Sequence, residues 1–362
     1  MRIAILGTRG IPNNYGGFEQ LAENLSLGLV KKGHEVFVYS SSNHDNQEII
    51  WNGIHILHQF DPEHKVGTIG QFVYDLNCIL DSRKRNFDVI LNLGYTSSSV
   101  WMNLIKSSTR VVTNMDGLEW KRSKYSKSVQ RFLQKAEKWA VKRSDALIAD
   151  SIGIAHYLKN KYHVNSTYIA YGAKLFNAPD ESVLLPFNAK PYFYNMLIAR
   201  MEPENNIEMI LDGMHASKSI YPFFVVGNIK NKFGQYLSAK FNKDQRIVFT
   251  GSIYDEKIIN NLRHYSNVYF HGHSVGGTNP SLLEAMGCKC LIAAHLNEFN
   301  KYILKEDGLY FTNVHEVSSI IDKTNKLEAQ NAKHVESNYN KIRDDFFWDK
   351  IVEQYETVLT IK

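Results

Sequence analysis

The sequence predicts an α/β protein made of two doubly wound, parallel-sheet domains. Short apolar runs alternate with amphipathic helical stretches along nearly the whole chain, which is the pattern of strand–helix–strand units. The alternation forms two series separated by the looser segment FNAPDESVLLPFNAKP, which holds three of the eight prolines. The length of 362 residues also suits two domains. We therefore expect two Rossmann-like domains that face each other across a ligand cleft at the carboxyl ends of their strands.

The first series begins with the strand RIAIL, a glycine-rich loop, a helix over 18–32 and the strand HEVFVYS. Further strands are predicted at GIHILHQF, DVILNLG, RVVTNMDG, DALIADS and STYIAYG, with helices at 67–85, 98–106, 126–143 and 152–162. In the second series the strands are FYNMLIAR, PFFVVGN, RIVFTGS, NVYFHG, CLIAAH and GLYF, with helices at 204–216, 232–241, 255–265 and 279–287. A last amphipathic helix over 344–361 places Phe347, Ile351, Tyr355 and Leu359 on one apolar stripe.

Composition excludes several classes of protein. Hydrophobic residues make up 44% and charged residues 22% of the chain, as in ordinary globular proteins. The three cysteines form neither a disulfide framework nor a zinc-ligand pattern, so we expect buried thiols in a reducing compartment. The amino-terminal run MRIAILG is too short for a signal peptide, and no stretch approaches the ~20 apolar residues of a membrane-spanning helix. We therefore expect a soluble or peripheral protein. Its net charge of +5 is modest, and we expect no nucleic-acid partner.

The segment HGHSVGGTNPSLLEAMG predicts a phosphate-binding loop that leads into a helix. Gly277, Thr278 and Asn279 precede Pro280, and threonine and asparagine are favoured at a helix N-cap. The N–H groups and positive dipole end of such a helix attract a phosphate or diphosphate. Glu284, one turn further on, is a good acceptor for two adjacent sugar hydroxyls. Together these features indicate a nucleotide sugar, with an ordinary capped helix as the alternative.

The loop GTRGIPNNYGGFE is a second candidate ligand site. Its glycines lack the G-x-G-x-x-G spacing of the dinucleotide fingerprint. Gly16 and Gly17 directly precede a helix and would let a ligand approach the backbone closely, while Arg9 offers a cation. A plain tight turn is the alternative interpretation.

Polar residues follow several predicted strands of the first domain. Asp116 and Glu119 follow RVVTN, Asp150 ends DALIAD and Tyr171 ends STYIAY. Ligand sites in open α/β sheets form at the carboxyl ends of strands, so these side chains are candidate site residues. A helix N-cap for Asp150 and a packing role for Tyr171 are equally open.

An arginine and two glycine pairs mark strand ends in the second domain. Arg200 ends its first strand, where an arginine can clamp a diphosphate. The pairs Gly227–Asn228 and Gly251–Ser252 end the next two strands and are candidates for the floor of a base pocket. No Asp-x-Asp sequence occurs, so we expect no metal ion at the diphosphate.

A strongly basic segment runs from Lys121 to Arg143. It holds nine Lys or Arg residues and one acid, Glu137, interleaved with aromatic residues that include Phe132 and Trp139. A solvated helix face explains such a run. A basic helix with aromatic flanks can also bind an anionic membrane surface, and the sequence leaves both interpretations open.

Six motifs together resemble those of retaining glycosyltransferases of family 4, which have the two-domain GT-B fold. They are GTRGIPNNYGGFE, NMDGLEWKRSKY, IADS, YIAYGA, PENN and HGHSVGGTNPSLLEAMG, and the resemblance extends over nearly the whole chain. It looks closest to a bacterial subgroup that adds rhamnose to a lipid-linked sugar during capsule, O-antigen or rhamnose-polysaccharide synthesis. The resemblance implies a donor domain over 173–343 and an acceptor domain over 1–172, to which the C-terminal helix 344–362 returns.

The resemblance also implies donor-binding residues. Arg200 and the Gly277–Asn279 loop would bind the diphosphate, Glu284 would bind the ribose, and Gly16 and Gly17 would border the donor.

Two positions depart from the broad family, although both departures look typical of the subgroup. Gly276 stands where the family has the first of two paired glutamates, and Asn205 stands where it has a clamp lysine. Either Lys230 or Lys232 would then supply the second diphosphate cation.

Other residues would serve transfer or the acceptor. Asp116, Asp150 and Tyr171 would lie near the transfer site, with Arg200 acting on the leaving group. Four residues would lie on the acceptor side: Arg9, Phe18, Glu19 and Glu119.

The implied enzyme needs no metal and no cofactor, because cations and a helix dipole would stabilise the leaving diphosphate. Its donor would be a nucleoside-diphosphate sugar, with L-rhamnose from dTDP-rhamnose as the specific expectation. Its acceptor would be a lipid-diphosphate-linked sugar, reached from the cytoplasm at the inner face of the bacterial plasma membrane. Two other functions stay open: a sugar-nucleotide epimerase of the same architecture and a non-catalytic sugar-binding partner.

Overall fold

A computed structural model describes residues 1–14, 16–121, 125–275 and 277–361. The chain divides into two compact units, Met1–Tyr171 with Trp348–Lys362 and Gly172–Phe347. The first unit thus ends at 171, where the sequence predicts 172, and its returning segment starts at 348 rather than 344. Each unit contains a sheet of parallel strands with intervening helices, so the predicted fold class is confirmed.

The first unit is built on one eight-stranded sheet. Its strands are β1 (Arg2–Leu6), β2 (Glu35–Ser41), β3 (Ile50–Trp51), β4 (Ile54–Gln59), β5 (Val89–Leu93), β6 (Arg110–Asn114), β7 (Ala146–Ala149) and β8 (Thr167–Tyr168). The order is β3-β4-β2-β1-β5-β6-β7-β8, and all neighbours are parallel except β3 and β4. The helices between the strands are α1 (Gly17–Lys31), α2 (Glu63–Val66), α3 (Ile69–Ser82), α4 (Lys127–Arg143) and α5 (Ile152–Tyr162). Central strands such as β5 are buried throughout, as expected for a parallel sheet covered on both faces.

The second unit is built on a six-stranded parallel sheet. Its strands are β9 (Asn195–Ile198), β10 (Phe223–Val226), β11 (Ile247–Gly251), β12 (Val268–His271), β13 (Ile292–His295) and β14 (Leu309–Phe311). The order β11-β10-β9-β12-β13-β14 reverses direction between β9 and β12. The helices are α6 (Ile207–Ala216), α7 (Lys232–Lys240), α8 (Glu256–His264), α9 (Pro280–Gly287), α10 (Glu298–Leu304), α11 (Val314–Lys323) and α12 (Ala329–Lys341).

The last helix, α13 (Trp348–Thr360), belongs to the first unit. It begins later than the predicted 344 because Phe347 is extended and pairs with Ala173 in an isolated parallel bridge. The helix packs directly on α1, since a Cβ at Gly28 would lie 2.5 Å from a methyl group of Val352.

Two further predictions of secondary structure are wrong. The predicted helix 98–106 is replaced by two short 3₁₀ turns, Ser98–Val100 and Met102–Leu104. Tertiary bonds override helix propensity there, because Asn92 donates to Ser98 Oγ at 2.8 Å and the Trp101 indole donates to the Phe72 carbonyl at 2.9 Å. The sequence predictions also omit α10, α11 and α12, although Val317 and Ile321 form a buried apolar face on α11.

Candidate functional site

Three loops of the second unit meet at the carboxyl edge of its sheet. They follow β9, β10 and β12, which are neighbours at the point where the strand order reverses. After β12, Ser274 donates from its backbone N at 3.1 Å and from Oγ at 2.7 Å to the carbonyl of Glu204 in the β9 loop. After β10, the Asn231 amide donates to the carbonyl of Met201 at 2.7 Å. Open α/β sheets bind ligands at such a reversal, so these loops form the candidate donor site.

Arg200 presents an exposed guanidinium at this edge. In the described part of the chain, its side chain makes no hydrogen bond or ion pair, so it is available to a ligand. The backbone beneath it is fixed by Asn205, whose buried amide donates to the Arg200 carbonyl at 2.8 Å. A Cβ at Gly272 would lie 2.0 Å from the Asn205 carbonyl oxygen, so only glycine allows this contact. Asn205 is therefore a structural residue and not a substitute for a second cation.

The β10 loop carries the other cation candidates. Gly227 lies against the end of β9, since a Cβ there would be 2.1 Å from the Ala199 carbonyl oxygen. The next residue, Asn228, accepts a hydrogen bond from the backbone N of Lys230 at 2.9 Å. Both Lys230 and Lys232 are exposed beside this loop.

The remaining glycine pair lies on the neighbouring strand. The Gly251 carbonyl accepts from the Gly227 backbone N at 3.0 Å, and Ser252 is exposed. The two glycine pairs predicted for the base pocket thus lie side by side.

Glu284, predicted to bind the ribose, forms an ion pair that the sequence does not reveal. Helix α9 begins after Asn279, whose side chain accepts from the Ser281 backbone N at 2.9 Å. Within this helix the Glu284 carboxylate binds Arg263 of α8, and the side chains are 27% and 5% exposed. Burial acts to lower the pKa of Arg263, but Glu284 more than offsets this, so the pKa lies above its usual range. The buried guanidinium fixes the orientation of the carboxylate.

Two stacked histidines support the loop that leads to α9. His271 ends β12 with a buried ring whose nitrogens have no hydrogen-bond partner among residues 1–14, 16–121, 125–275 and 277–361. It stacks on His273 at 4.4 Å, and burial, together with that neighbour, holds the pKa of His271 well below its usual value. The His273 carbonyl accepts from Asn297 and Asn300, both at 3.0 Å. The segment around α10 therefore positions this loop.

The loop continues through Gly277, which is half-buried, and Thr278, which is buried. The predictions for Gly276, and for Lys124 in the basic segment, lie outside the described residues.

In the first unit, the glycine-rich loop is held by charged residues. Glu19 is buried and accepts from the Arg9 backbone N at 2.9 Å and from Thr8 Oγ1 at 3.3 Å. The Arg9 guanidinium binds both carboxylate oxygens of Glu63 in α2, at 3.1 and 2.7 Å. Arg9 and Glu19 therefore shape the loop in this structure.

The other residues of this motif lie where α1 begins. Gly16 is its N-cap and Gly17 its first residue. The ring of Phe18 lies 3.1 Å from the place that a Cβ at Gly94 would occupy, so the loops after β1 and β5 are in close contact.

The structure brings Asp116, Asp150 and Tyr171 together. Asp116 follows β6 with a φ of 52° and donates its backbone N to Asn114 Oδ1 at 3.0 Å. Asp150 directly follows β7 and is 2% exposed; burial, reinforced by nearby Asp116, raises its pKa well above the usual range. Tyr171 lies three residues after β8 and does not end a strand as predicted. Burial likewise raises its pKa, and among the charged groups Asp116 and Asp150 contribute most to that shift. The N-cap of the following helix is Ser151, which excludes that role for Asp150.

Glu119 lies in a 3₁₀ turn, Glu119–Lys121, beside this cluster. The turn is anchored by Trp120, whose ring lies 5.3 Å from the Lys161 ammonium. Lys161 and two α5 tyrosines in turn donate to the buried carboxylate of Glu137 at 2.9, 2.8 and 2.6 Å. Glu137, the single acid of the basic segment, is thus a structural residue.

Helix α4 exposes a line of cations. They recur every three or four residues and so share one helix face, which we call the basic stripe: Lys127, Arg131, Lys135, Lys138 and Lys142. The aromatic residues Phe132 and Trp139 are only half-exposed, because they pack on each other at 6.3 Å and Phe132 packs on Phe72 at 5.7 Å.

The described parts of the chain contain neither a candidate metal site nor a candidate membrane-spanning helix. There, no three His, Cys, Asp or Glu side chains are grouped so as to hold a metal ion. Across the same residues, none of the helices combines the length and the apolar character that a membrane crossing requires.

Two different protein families match the two halves of the chain. Residues 1–174 match the family "Domain of unknown function (DUF1972)", and residues 186–344 match "Glycosyl transferases group 1". No curated protein sequence matches the chain significantly.

Solved structures match the chain over its full length. Sucrose-phosphate synthase from Thermosynechococcus elongatus has a TM-score of 0.81 and 16% identity, over 99% of this chain and 98% of that one. Anabaena HepE in complex with UDP has a TM-score of 0.76 and 13% identity, over 99% and 100%. An α,α-trehalose-phosphate synthase (UDP-forming) from Burkholderia xenovorans, in complex with glucose-6-phosphate, has a TM-score of 0.73 and 10% identity, over 100% of both chains. At these identities the likeness shows the fold alone.

The chain has the GT-B fold, and its second unit carries a glycosyltransferase group 1 domain. This family match covers most of the second unit, which contains Arg200 and Glu284. Sequence reasoning identified the loops and strand ends of the candidate site. It missed the residues that hold them: Arg263, Asn114, Asn297 and Asn300.

Proposed function

We propose that this protein is a glycosyltransferase that moves a sugar from a nucleoside diphosphate to a lipid-diphosphate-linked sugar at an anionic membrane surface. The specific proposal is L-rhamnose from dTDP-rhamnose, with retention of configuration, in bacterial capsule, O-antigen or cell-wall polysaccharide synthesis. The sugar, the stereochemistry and membership of family 4 rest on the motif resemblance. The donor proposal rests on one structural observation: the Arg200 side chain at the reversal point of the second sheet is exposed and has no partner among the described residues.

The surroundings of Arg200 suit a diphosphate. The loop after β12 is bonded to the Arg200 loop and leads into the N-terminus of α9, whose dipole favours an anion. Glu284 lies one turn further along this helix and suits the ribose hydroxyls. HepE was solved with UDP, and the trehalose-phosphate synthase is described as UDP-forming, which supports a nucleoside-diphosphate donor here.

The same residues suit the departure of the diphosphate as leaving group. Negative charge grows on the diphosphate as the glycosidic bond breaks, and Arg200, the α9 dipole and Lys230 or Lys232 would stabilise it without a metal ion. We propose that the acceptor hydroxyl attacks the same face of the sugar that the diphosphate leaves, and that the departing phosphate takes up the hydroxyl proton.

The carboxylate cluster of the first unit suits a sugar hydroxyl of the acceptor. Burial and the neighbouring Asp116 raise the pKa of Asp150 well above its usual range, which favours the neutral carboxyl. A neutral carboxyl can donate a hydrogen bond, whereas an ionised Asp116 can accept one. A sugar hydroxyl both donates and accepts, so it suits this pair of carboxyl groups.

The basic stripe supports a membrane-associated acceptor. Its five cations face solvent on one side of α4. On α3, whose Phe72 packs on α4, Ile69 and Val73 are exposed at 70% and 37%. Cations beside exposed apolar side chains suit the headgroups and outer acyl region of an anionic bilayer. We accordingly propose a peripheral position on the inner face of the plasma membrane.

The deciding experiment is a screen of nucleotide sugars with a synthetic lipid-diphosphate-linked acceptor. Glycosylated acceptor and free nucleoside diphosphate are the expected products, formed equally well in excess EDTA. Isomerised donor formed without acceptor would instead identify an epimerase. Binding of donor without any turnover would identify a sugar-binding partner protein.

Arg200→Ala tests the assignment of the donor site. It should lower kcat more than it raises the donor KM, because its charge matters most as the diphosphate departs. Lys243→Ala, which removes another exposed cation of the same unit, is the matched control and should behave as wild type. Equal kinetics for both variants would reject Arg200 as the clamp.

A further inference from the structure

The C-terminal helix places a tyrosine hydroxyl next to the carboxylate cluster of the first unit. Tyr355 lies on the apolar stripe of α13, and its side chain is 1% exposed. Its hydroxyl accepts a hydrogen bond from Asn114 Nδ2 at 2.7 Å. Phenylalanine would fill a packing role equally well, whereas a buried hydroxyl costs free energy unless it is hydrogen-bonded.

Asn114 uses both ends of its amide. Nδ2 donates to Tyr355, while Oδ1 accepts from the backbone N of Asp116 at 3.0 Å. Asp116 has a φ of 52°, a left-handed conformation that costs a non-glycine residue free energy unless its surroundings stabilise it. The Tyr355 hydroxyl therefore fixes the amide that holds the Asp116 turn.

The groups that face this hydroxyl are those of the candidate acceptor site. Asp150 is within electrostatic reach of Tyr355, and Tyr171 faces Tyr355, Asp116, Asp150 and Glu19. Burial raises the pKa of Tyr355 above its usual value, although the bond to Asn114 acts in the opposite direction. The hydroxyl consequently keeps its proton while it accepts from Asn114.

We propose that Tyr355 is a positioning residue of the acceptor site, whose hydroxyl holds the Asp116 turn beside Asp150 through Asn114. Helix α13 is then part of the site as well as a structural return to the first unit. The effect on turnover rests on the proposed function; the effect on the Asp116 turn does not.

Tyr355→Phe keeps the ring and removes the hydroxyl. Asn114 then lacks its partner, the Asp116 turn relaxes, and the Asp116 carboxylate moves away from Asp150. Asp116 raises the pKa of Asp150, so this pKa should fall. In a ¹³C NMR titration of labelled aspartates, the Asp150 carboxyl should ionise at lower pH than in wild type. With the proposed substrates, kcat should fall about tenfold, as for one unsatisfied buried group, at unchanged donor KM.

Tyr39→Phe is the matched control, because Tyr39 is also a buried tyrosine of the first unit, and its hydroxyl donates to Asp81 at 2.9 Å. It should lower the Tm as Tyr355→Phe does, but leave the Asp150 titration and kcat unchanged. An unchanged Asp150 titration in Tyr355→Phe, or the same change in both variants, would overturn the proposal. A shifted titration in a protein without transfer activity would reject only the proposed function.

Discussion

At the scale of single residues, donor affinity should depend on a side chain that need not touch the donor. Arg263 fixes the carboxylate of Glu284, which we propose binds the ribose. Arg263→Met keeps the bulk and removes the charge, so Glu284 loses its fixed orientation. Donor KM should rise about tenfold with little change in kcat, as expected when an interaction common to ground and transition states is lost. Glu284→Ala should itself cost about 1–3 kcal/mol in donor binding, because buried hydroxyls lose their acceptor.

Arg246→Met supplies the control in steady-state kinetics. Arg246 belongs to the same unit and forms a comparable ion pair with Asp244 at 2.7 Å. Its loss should reduce stability and leave the donor KM unaltered. Equal KM values for wild type and Arg263→Met would show that the ion pair has no part in donor binding.

Sequence reasoning reached the residues at strand ends but not the residues that hold them. Asp116, Asp150 and Tyr171 were predictable because the carboxyl ends of parallel strands share one edge, and the structure brings them together. Arg263 gave no such signal, since it occupies a helix position that looks solvent-exposed in NNLRHY. Its partner lies 21 positions further along the chain, and only the packing of α8 and α9 brings the two together.

At the scale of one element, the basic stripe of α4 should govern membrane binding. Each cation near an anionic bilayer contributes roughly 1 kcal/mol, and salt weakens it. Reversing Lys127, Arg131, Lys135 and Lys138 to Glu should release the protein from anionic vesicles in co-sedimentation at low salt. Transfer to a long-chain lipid acceptor should slow, whereas transfer to a short, water-soluble acceptor should continue.

The matched control for α4 reverses four exposed lysines of the second unit, Lys218, Lys243, Lys305 and Lys323. It changes the net charge equally but leaves the stripe intact, so vesicle binding should persist. Equal pelleting of wild type and the α4 variant would assign the stripe to ordinary solvation.

Some helices were predictable to within about one residue, while others with an apolar face of their own, such as α11, were omitted. The predicted helix 152–162 coincides with α5, and 126–143 differs from α4 by one residue. By contrast, α10 and α11 follow polar segments and begin after Asn297 and Asn313, whose side chains cap them. These caps were the available signal, because asparagine before a helix accepts backbone N–H bonds that are otherwise unsatisfied.

At the scale of the whole molecule, the two alternating series predicted two sheets, but the return of the last helix is not a local property. The apolar stripe on α13 predicts that the helix packs on another surface, but it does not predict which surface. Only the family resemblance indicated that α13 returns to the first unit. There, Glu356 of α13 pairs with Lys32 at 3.0 Å and His34 at 2.9 Å. Because the chain divides into two units, thermal unfolding should show two transitions.

The first of these units should lose stability as the pH rises, through Asp75 on α3. Burial raises the pKa of Asp75 to about 7, although a hydrogen bond from Ser97 at 2.5 Å acts against this. Below about pH 4 the carboxyl is protonated in both the folded and the unfolded chain, and on raising the pH the unfolded chain ionises first. The free energy of unfolding should therefore fall between about pH 4 and pH 7, by up to about 4 kcal/mol, and level off above pH 7.

Asp75→Asn can still accept the Ser97 hydrogen bond but cannot ionise. The melting temperature of the first-unit transition should therefore depend less on pH, and it should exceed that of wild type at pH 8.

Asp307 in the second unit provides a control of opposite sign. Burial acts to raise its pKa, but bonds from Lys341 at 2.8 Å and Ser337 at 2.7 Å outweigh this and lower it. Asp307→Asn should therefore destabilise the second unit at neutral pH, and progressively less as the pH falls through that lowered pKa. Calorimetry across this pH range follows both transitions, and parallel curves for wild type and Asp75→Asn would contradict the predicted burial of a neutral carboxyl.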